Sequence, residues 1–347
     1  MPRNSFSTRL LLVWLIPVVA QVCGVALGQN GDGQTQQQEL VLANGVVGRD
    51  VSFASANPRN YEDIIQHREM PAVTLTAQLF MPRRKGRVPA VIIVPGSGGV
   101  SASMLIHANA LTEVGIAVLL VDPFSGRGIH DTIAVQDQLS FAASTYDVLV
   151  ATRTLERESD IDPARIGAMG YSRGGLAVLQ AAVTPVAKAV LGPGKSLRAV
   201  LAGWPWCGMQ FADPHTAPTA VRFALGDADT WVGPVQCQAY WTGMKVHNPS
   251  VTLRLFRNAD HGFGYAMPVQ EIPNAIKALN APIAYYDDRG VLLDPWTGKP
   301  IPGADERTTM DLYRLFISRG ARAGTRGDQM NEFVADFVAF FKAQLLR

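Results

Sequence analysis

The sequence is short of the residues that metal, redox and polyanion chemistry draw on. Three cysteines and six histidines occur in 347 residues. They form no His-x-His, no His-Glu-x-x-His and no cluster of cysteines, which argues against a catalytic metal centre. A Gly-Lys-Ser/Thr ending is also missing from the glycine-rich loops, so none of them reads as a phosphate cradle. Charge of one sign is lacking too. Without residues 1–28, which carry Arg3 and Arg9 and no acid, 29 basic side chains balance 29 acidic ones. Such a balance gives no reason to expect a nucleic-acid partner or a charged membrane surface. No cofactor is implied. Internal repeats and low-complexity tracts are absent from the body of the chain.

The long apolar run at the start has its own explanation. Arg3 and Arg9 precede Leu10 to Leu27, which is interrupted by Pro17 and Gln21 and ends in Ala26-Leu27-Gly28. A positive start, an apolar middle and small residues at the end describe a secretory signal peptide over 1–28. A retained anchor is the alternative. The internal proline and the polar, glutamine-rich residues that follow favour cleavage, with no stable membrane insertion afterwards. The expected layout is a signal peptide, a polar segment over 29–50 and one large domain over 51–347. The product would be exported, either periplasmic or secreted. Two cysteines then remain, Cys207 and Cys237, and in an exported chain such a pair is expected to form a disulfide.

What is present centres on Gly170-Tyr171-Ser172-Arg173-Gly174. Arg165 to Met169 before it has the character of a buried strand, and Leu176 to Ala189 after it that of a helix, with Pro185 its one strong breaker. A serine at a sharp turn between strand and helix is a nucleophile elbow, and the glycines are needed because a Cβ would collide where the backbone bends.

The rest of the chain supplies a frame for that turn. Val73, Leu75, Ala77 and Leu79 alternate with Thr74, Thr76 and Gln78, the period of a half-exposed antiparallel strand. Val88–Val94 and Gly115–Val121 are continuous aliphatic runs, as strands covered on both faces require. A helix is expected over Ser101–Val114 and another over Tyr146–Glu158. Further strands are expected at Arg198–Ala202, Val221–Leu225 and Val251–Phe256. Phe333, Val334, Phe337, Val338, Phe341 and Leu345 mark a closing helix over Met330–Leu346. Repeated strand–helix order means a doubly wound, mostly parallel sheet with antiparallel N-terminal strands. An insert at about 265–328, rich in Pro, Gly and Asp, does not fit this plan. It reads equally well as a surface excursion or as a flap beside the site.

A serine hydroxyl needs a base, and the base needs a carboxylate to hold its tautomer. In such a sheet the partners follow later strands in the order Ser, acid, His. Val221–Leu225 runs into Gly226-Asp227-Ala228-Asp229, and Phe256 into Asn258-Ala259-Asp260-His261-Gly262. Ser172, Asp229 and His261 are therefore the expected triad, with Asp227 the alternative acid. His67, His107, His130, His215 and His247 read as surface or helix residues, and Asp260 as a turn residue. The oxyanion donors are expected to be the backbone N–H groups of Arg173 and Ser97, with Gly98 second to Ser97. The Arg173 side chain is assigned a structural role. Tyr171, Trp204, Trp231 and Phe124 are candidates for the substrate pocket, each weighed against plain core packing. A Cys207–Cys237 bridge would steady the segment carrying Asp229.

Together Gly170-Tyr171-Ser172-Arg173-Gly174-Gly175, Gly226-x-x-Asp229, Asp260-His261-Gly262-Phe263 and Val94-Pro95-Gly96-Ser97-Gly98-Gly99 resemble the dienelactone hydrolase family of α/β-hydrolases. The resemblance runs from about Thr74 to Phe263 and includes the last helix. It implies an α/β-hydrolase fold and hydrolysis of a small-molecule ester or lactone. Two departures stand out: the archetypal members use a cysteine nucleophile in the cytoplasm, and the insert after His261 is not typical of them. Peptide or amide hydrolysis, and a non-catalytic binding module, are the alternative readings.

Overall fold

A computed structural model describes residues 39–347 except 217. The expected signal peptide and most of the polar segment lie outside the described residues. The described fold begins before the expected boundary at 51. Leu42 and Val46 are buried, and strand β1 already runs from Gly48 to Ala56.

After the short helix α1 (Tyr61–Ile65), β2 (Ala72–Phe80) pairs antiparallel with β1 along its whole length. Of the residues the alternation put on one side, Leu75, Ala77 and Leu79 are buried and Val73 half-buried, and Phe80 at the strand's end is buried as well. There follow β3 (Val88–Val94), α2 (Ala102–Glu113), β4 (Ala117–Asp122), α3 (Phe141–Leu155) and β5 (Ile161–Tyr171). Next come α4 (Arg173–Ala181), α5 (Thr184–Leu191), β6 (Ala199–Gly203), β7 (Met209–Phe211) and β8 (Ala220–Gly226). Helix α6 (Val235–His247) and β9 (Val251–Phe256) complete the regular alternation. One eight-stranded sheet results, in the order β1-β2-β4-β3-β5-β6-β8-β9. It is parallel from β4 onward, with β1 and β2 antiparallel at one edge.

Strand β3 shows why the aliphatic runs are continuous. All seven of its residues are buried. Ala90, Ile92 and Val94 pack into the core shared with α3 and α4, and Val91 and Ile93 into the opposite core with α2 and the C-terminal helix. Successive side chains alternate between faces, so a strand covered on both sides is apolar at every position. That C-terminal helix is α8 (Gln329–Leu345), whose Phe333, Phe337, Phe341 and Leu345 are buried.

Two helices depart from the expected spans. A cap is formed where the Ser140 hydroxyl accepts from Ala143 N–H at 2.9 Å, so α3 begins at Phe141, five residues before its expected start. The single helix expected over Leu176–Ala189 is two, α4 and α5, bent by 77°. Pro185 stands in the first turn of α5, where its missing N–H does no harm; inside a continuous helix it would remove a hydrogen bond and clash with the preceding turn.

The insert is ordered and built onto the domain. Strands β10 (Gln270–Lys277) and β14 (Ser318–Ala323) form an antiparallel ribbon. Strands β11 (Ala284–Tyr286), β12 (Leu292–Leu293) and β13 (Pro300–Ile301) make a small sheet whose fourth member is β7. Helix α7 (Glu306–Tyr313) then leads back toward β14. Among the described residues no single helix is long and apolar enough to cross a membrane.

Candidate active site

Strand β5 ends at Tyr171 and α4 begins at Arg173, so Ser172 alone makes the turn between them. It does so at φ 52° and ψ −113°, outside the regions that a side chain with a Cβ ordinarily occupies. Both flanking glycines are obligatory. A Cβ on Gly170 would lie 2.0 Å from the Gly174 carbonyl oxygen, and one on Gly174 would lie 2.4 Å from that of Pro95. The loop after β3 rests directly on the elbow, since a Cβ on Gly96 would meet the Tyr171 carbonyl oxygen at 3.1 Å and Ser172 Cβ at 3.2 Å. This close approach sets Ser97 beside Ser172 and Arg173 in the wall of one cavity.

The ends of β8 and β9 bring the expected acid and base together. The Asp229 carboxylate is buried and fully used: Oδ1 accepts from Trp231 and Val232 N–H at 2.8 and 3.0 Å, and Oδ2 accepts from His261 Nδ1 at 2.8 Å. A carboxylate can only accept here, so Nδ1 carries a proton directed at Asp229 and Nε2 faces away from it. Asp227, the alternative acid, is exposed. The Trp231 ring lies against the imidazole, centroids 4.7 Å apart, and Trp231 also lines the cavity that holds Ser172. Neither Ser172 Oγ nor His261 Nε2 has a hydrogen-bond partner among the described residues.

Arg173 is held mainly by structure. Its guanidinium donates to the carbonyls of Leu139 and Gln136 at 2.8 and 2.6 Å and lies 4.0 Å from the centre of the Phe141 ring. Burial lowers its pKa to about 10, so the charge is kept near neutral pH. The Arg173 N–H, in the first turn of α4, has no partner within the helix.

Of the four expected pocket residues, only Trp231 lines the cavity. Tyr171 and Trp204 are fully buried and stacked on each other, with centroids 5.2 Å apart, in the core that holds Phe263 and Phe333. Phe124 is buried in a separate small cluster with Leu139 and Ala143. All three are packing residues. The walls come instead from Phe141, Trp206 and, from the insert, Ile276, Met310, Tyr313 and Ile317. Of the two readings of the insert, the flap beside the site is therefore the one realised. It is fixed there by Trp231 Nε1–H donating to the Ile276 carbonyl at 2.9 Å and by Tyr313 O–H donating to the Gly208 carbonyl at 2.8 Å.

Three supporting residues escaped the sequence reading. His107, read as a surface or helix residue, is on α2 but wholly buried. Its Nε2–H donates to the Gly264 carbonyl at 2.9 Å, and its Nδ1 accepts from Tyr171 O–H at 2.6 Å. Burial brings its pKa down to about 4, so it is a neutral strut beneath the loop that follows His261. Asp260, read as a turn residue, is buried between Arg322 and Arg326 at 3.0 and 2.5 Å and clasps the returning end of the insert. Glu306 on α7 is buried and accepts from Phe141 N–H at 3.1 Å. No local pattern marks any of these, because each partner is distant in the chain. The expected disulfide is formed between Cys207 and Cys237, Cα atoms 5.0 Å apart.

An eight-stranded sheet, parallel but for its first strands, with a strained serine at one strand end and an Asp–His pair at two others, defines an α/β-hydrolase. Sequence comparison is more specific: the dienelactone hydrolase family matches residues 75–281, more than half of the chain, and the chain belongs to that family. It is a hydrolase acting on ester bonds, with a small-molecule ester or lactone as substrate. A Bradyrhizobium sp. protein named "Probable 2-oxo-3-(5-oxofuran-2-ylidene)propanoate lactonase" is 29% identical over 196 residues, covering 54% of this chain and 78% of that one. A dienelactone hydrolase-like promiscuous phosphotriesterase from metagenomic libraries shares the fold at TM-score 0.50 and 13% identity, over 86% of this chain and 99% of its own. The dienelactone hydrolase of Anabaena variabilis aligns at TM-score 0.45 and 17% identity, over 62% of this chain and 88% of its own.

Proposed function

We propose that the protein is an exported serine hydrolase that cleaves a carboxylic ester or lactone through an acyl-enzyme. Ser172 Oγ attacks the carbonyl carbon and gives its proton to His261 Nε2, while Asp229 holds the imidazole and stabilises the imidazolium. The oxyanion is held by the N–H groups of Ser97 and Arg173. His261 returns the proton to the leaving alkoxide. Water then repeats the sequence and releases the acid. The observation that carries this reading is the buried Asp229–His261 pair, whose Trp231 neighbour shares a cavity with a serine in strained backbone. Walls of Phe141, Trp206, Trp231, Met310 and Tyr313 suit an apolar, ring-bearing group on one side of the scissile bond. Export is supported by the pattern of residues 1–28 and by the Cys207–Cys237 disulfide, a bond typical of oxidising compartments.

A p-nitrophenyl ester series on wild type and Ser172→Ala tests the mechanism. Release should fall by about 10³-fold or more in the variant, and a fluorophosphonate should label Ser172 in the wild type alone. Equal turnover by both proteins, or label on another residue, would refute it.

A further inference from the structure

Three metal-ligand side chains converge far from the nucleophile along the fold. Asp213 and His215 lie in the segment leading from β7 to β8, and His247 is the last residue of α6. His215 Nε2 is 2.9 Å from Asp213 Oδ1, and His247 Nε2 is 3.1 Å from the same oxygen. The two imidazole centroids are 3.8 Å apart, and all three donor atoms lie within 4.8 Å of one another. We propose that Asp213, His215 and His247 form a structural site for a borderline divalent transition cation, Zn²⁺ in the first place, with water completing the shell.

The donor set and its geometry suit that ion. Zn–N and Zn–O bonds of about 2.0–2.2 Å put the ligand atoms of a tetrahedral site about 3.3 Å apart. The two N···O separations need to open by only a few tenths of an ångström to admit one. Two imidazoles and one carboxylate prefer zinc, copper or nickel over calcium and magnesium, which require more oxygen ligands. The side chains are also partly open to solvent, with relative exposures of 47% for Asp213, 50% for His215 and 31% for His247, so an ion can enter.

The surrounding backbone is already fixed. Thr184 donates to the His215 carbonyl through both its N–H (2.7 Å) and its hydroxyl (2.9 Å). Asn248, next to His247 and buried, donates from Nδ2 to Thr216 Oγ1 at 3.1 Å and to the Thr219 carbonyl at 2.7 Å. The Asn248 bonds hold the two ligand-bearing segments against each other, and the Thr184 bonds tie the His215 segment to α5, as supporting contacts around a metal site do. His247 also sits at the C-terminal end of α6, where the helix dipole favours a cation.

Position decides the role. Residues 213–215 and 247 precede the starts of β8 and β9, whereas Asp229 and His261 follow the ends of the same strands. The ion would clasp α6 to the β7–β8 segment at the edge of the sheet opposite the chemistry. Sequence spacing hides the site, because His247 is distant in the chain from Asp213-x-His215.

The test uses the full chain, stripped with chelator, with ZnCl₂ as probe in calorimetry and thermal unfolding at neutral pH. Wild type should bind one equivalent and unfold at higher temperature with zinc. His215→Ala and His247→Ala should each weaken that binding at least about 10-fold, lose the zinc-dependent shift, match wild type in zinc-free unfolding temperature and keep full ester hydrolysis. No binding to wild type at millimolar zinc, or undiminished binding and shift in the double variant, overturns the proposal. The second outcome would mean an adventitious ion only.

Discussion

At the scale of single residues, the site depends on which atoms are already committed. Asp229 spends one oxygen on two backbone N–H groups and the other on His261, so its position against the imidazole is fixed. Asp229→Asn keeps the shape and reverses the tautomer: an amide N–H facing His261 would move the imidazole proton to Nε2. We expect kcat for an ester substrate to fall about 10³–10⁴-fold with little change in KM, read by steady-state assay near neutral pH. The same scale shows what could be read from residue order alone. That Ser172, Asp229 and His261 stand just past strand ends is legible because the apolar runs before them reveal the strands. Tyr171, Trp204 and Phe124 were misplaced because a large aromatic at a strand end looks the same in sequence whether it faces a cavity or the layer beneath. Tyr171 packs beneath the turn with its hydroxyl on His107, and no pattern in either segment announces that pairing.

Among the elements, the insert is the part that sequence described least. Its strands of two and three residues are too short for any period to show, and β11 is stabilised by pairing with β7, far back in the chain. The main strands were read well, since burial on both faces leaves a composition that nothing else imitates. Within the insert, α7 caps α3: the Glu306 carboxylate accepts from Phe141 N–H. Burial raises its pKa to about 7, against the nearby Arg173, which lowers it. An acid with a raised folded-state pKa favours folding in its protonated form. Its contribution is complete below the unfolded value of about 4.3 and is lost as pH climbs through about 7. Glu306→Gln retains an acceptor for Phe141 and removes the titration. The variant should therefore be more stable than wild type at pH 8, by at most about 4 kcal/mol, and nearly equal at pH 4. Urea unfolding at the two pH values measures this, and an identical pH dependence in both proteins would contradict it.

Across the whole molecule, the disulfide links parts that the sheet alone would leave independent. Cys207 follows β6 and adjoins Trp206 in the cavity wall, while Cys237 lies in the first turn of α6, just past the loop of Asp229. Closing a loop with a sequence separation of 30 residues is worth about 2–4 kcal/mol. Cys207→Ser should lower the unfolding free energy by that amount, and reductant should lower it equally in wild type but not in the variant. Denaturant titration with and without reductant reads both.

The clasp of Asp260 on Arg322 and Arg326, with Gly324 N–H donating to the His261 carbonyl at 2.7 Å, joins the loop of His261 to the end of the same excursion that walls the cavity. The cavity wall and the loop of His261 are thereby mechanically married. Evolution, or an engineer exchanging that excursion between homologues, must carry both arginines along with it, because a graft without them would leave His261 on a loosened mount.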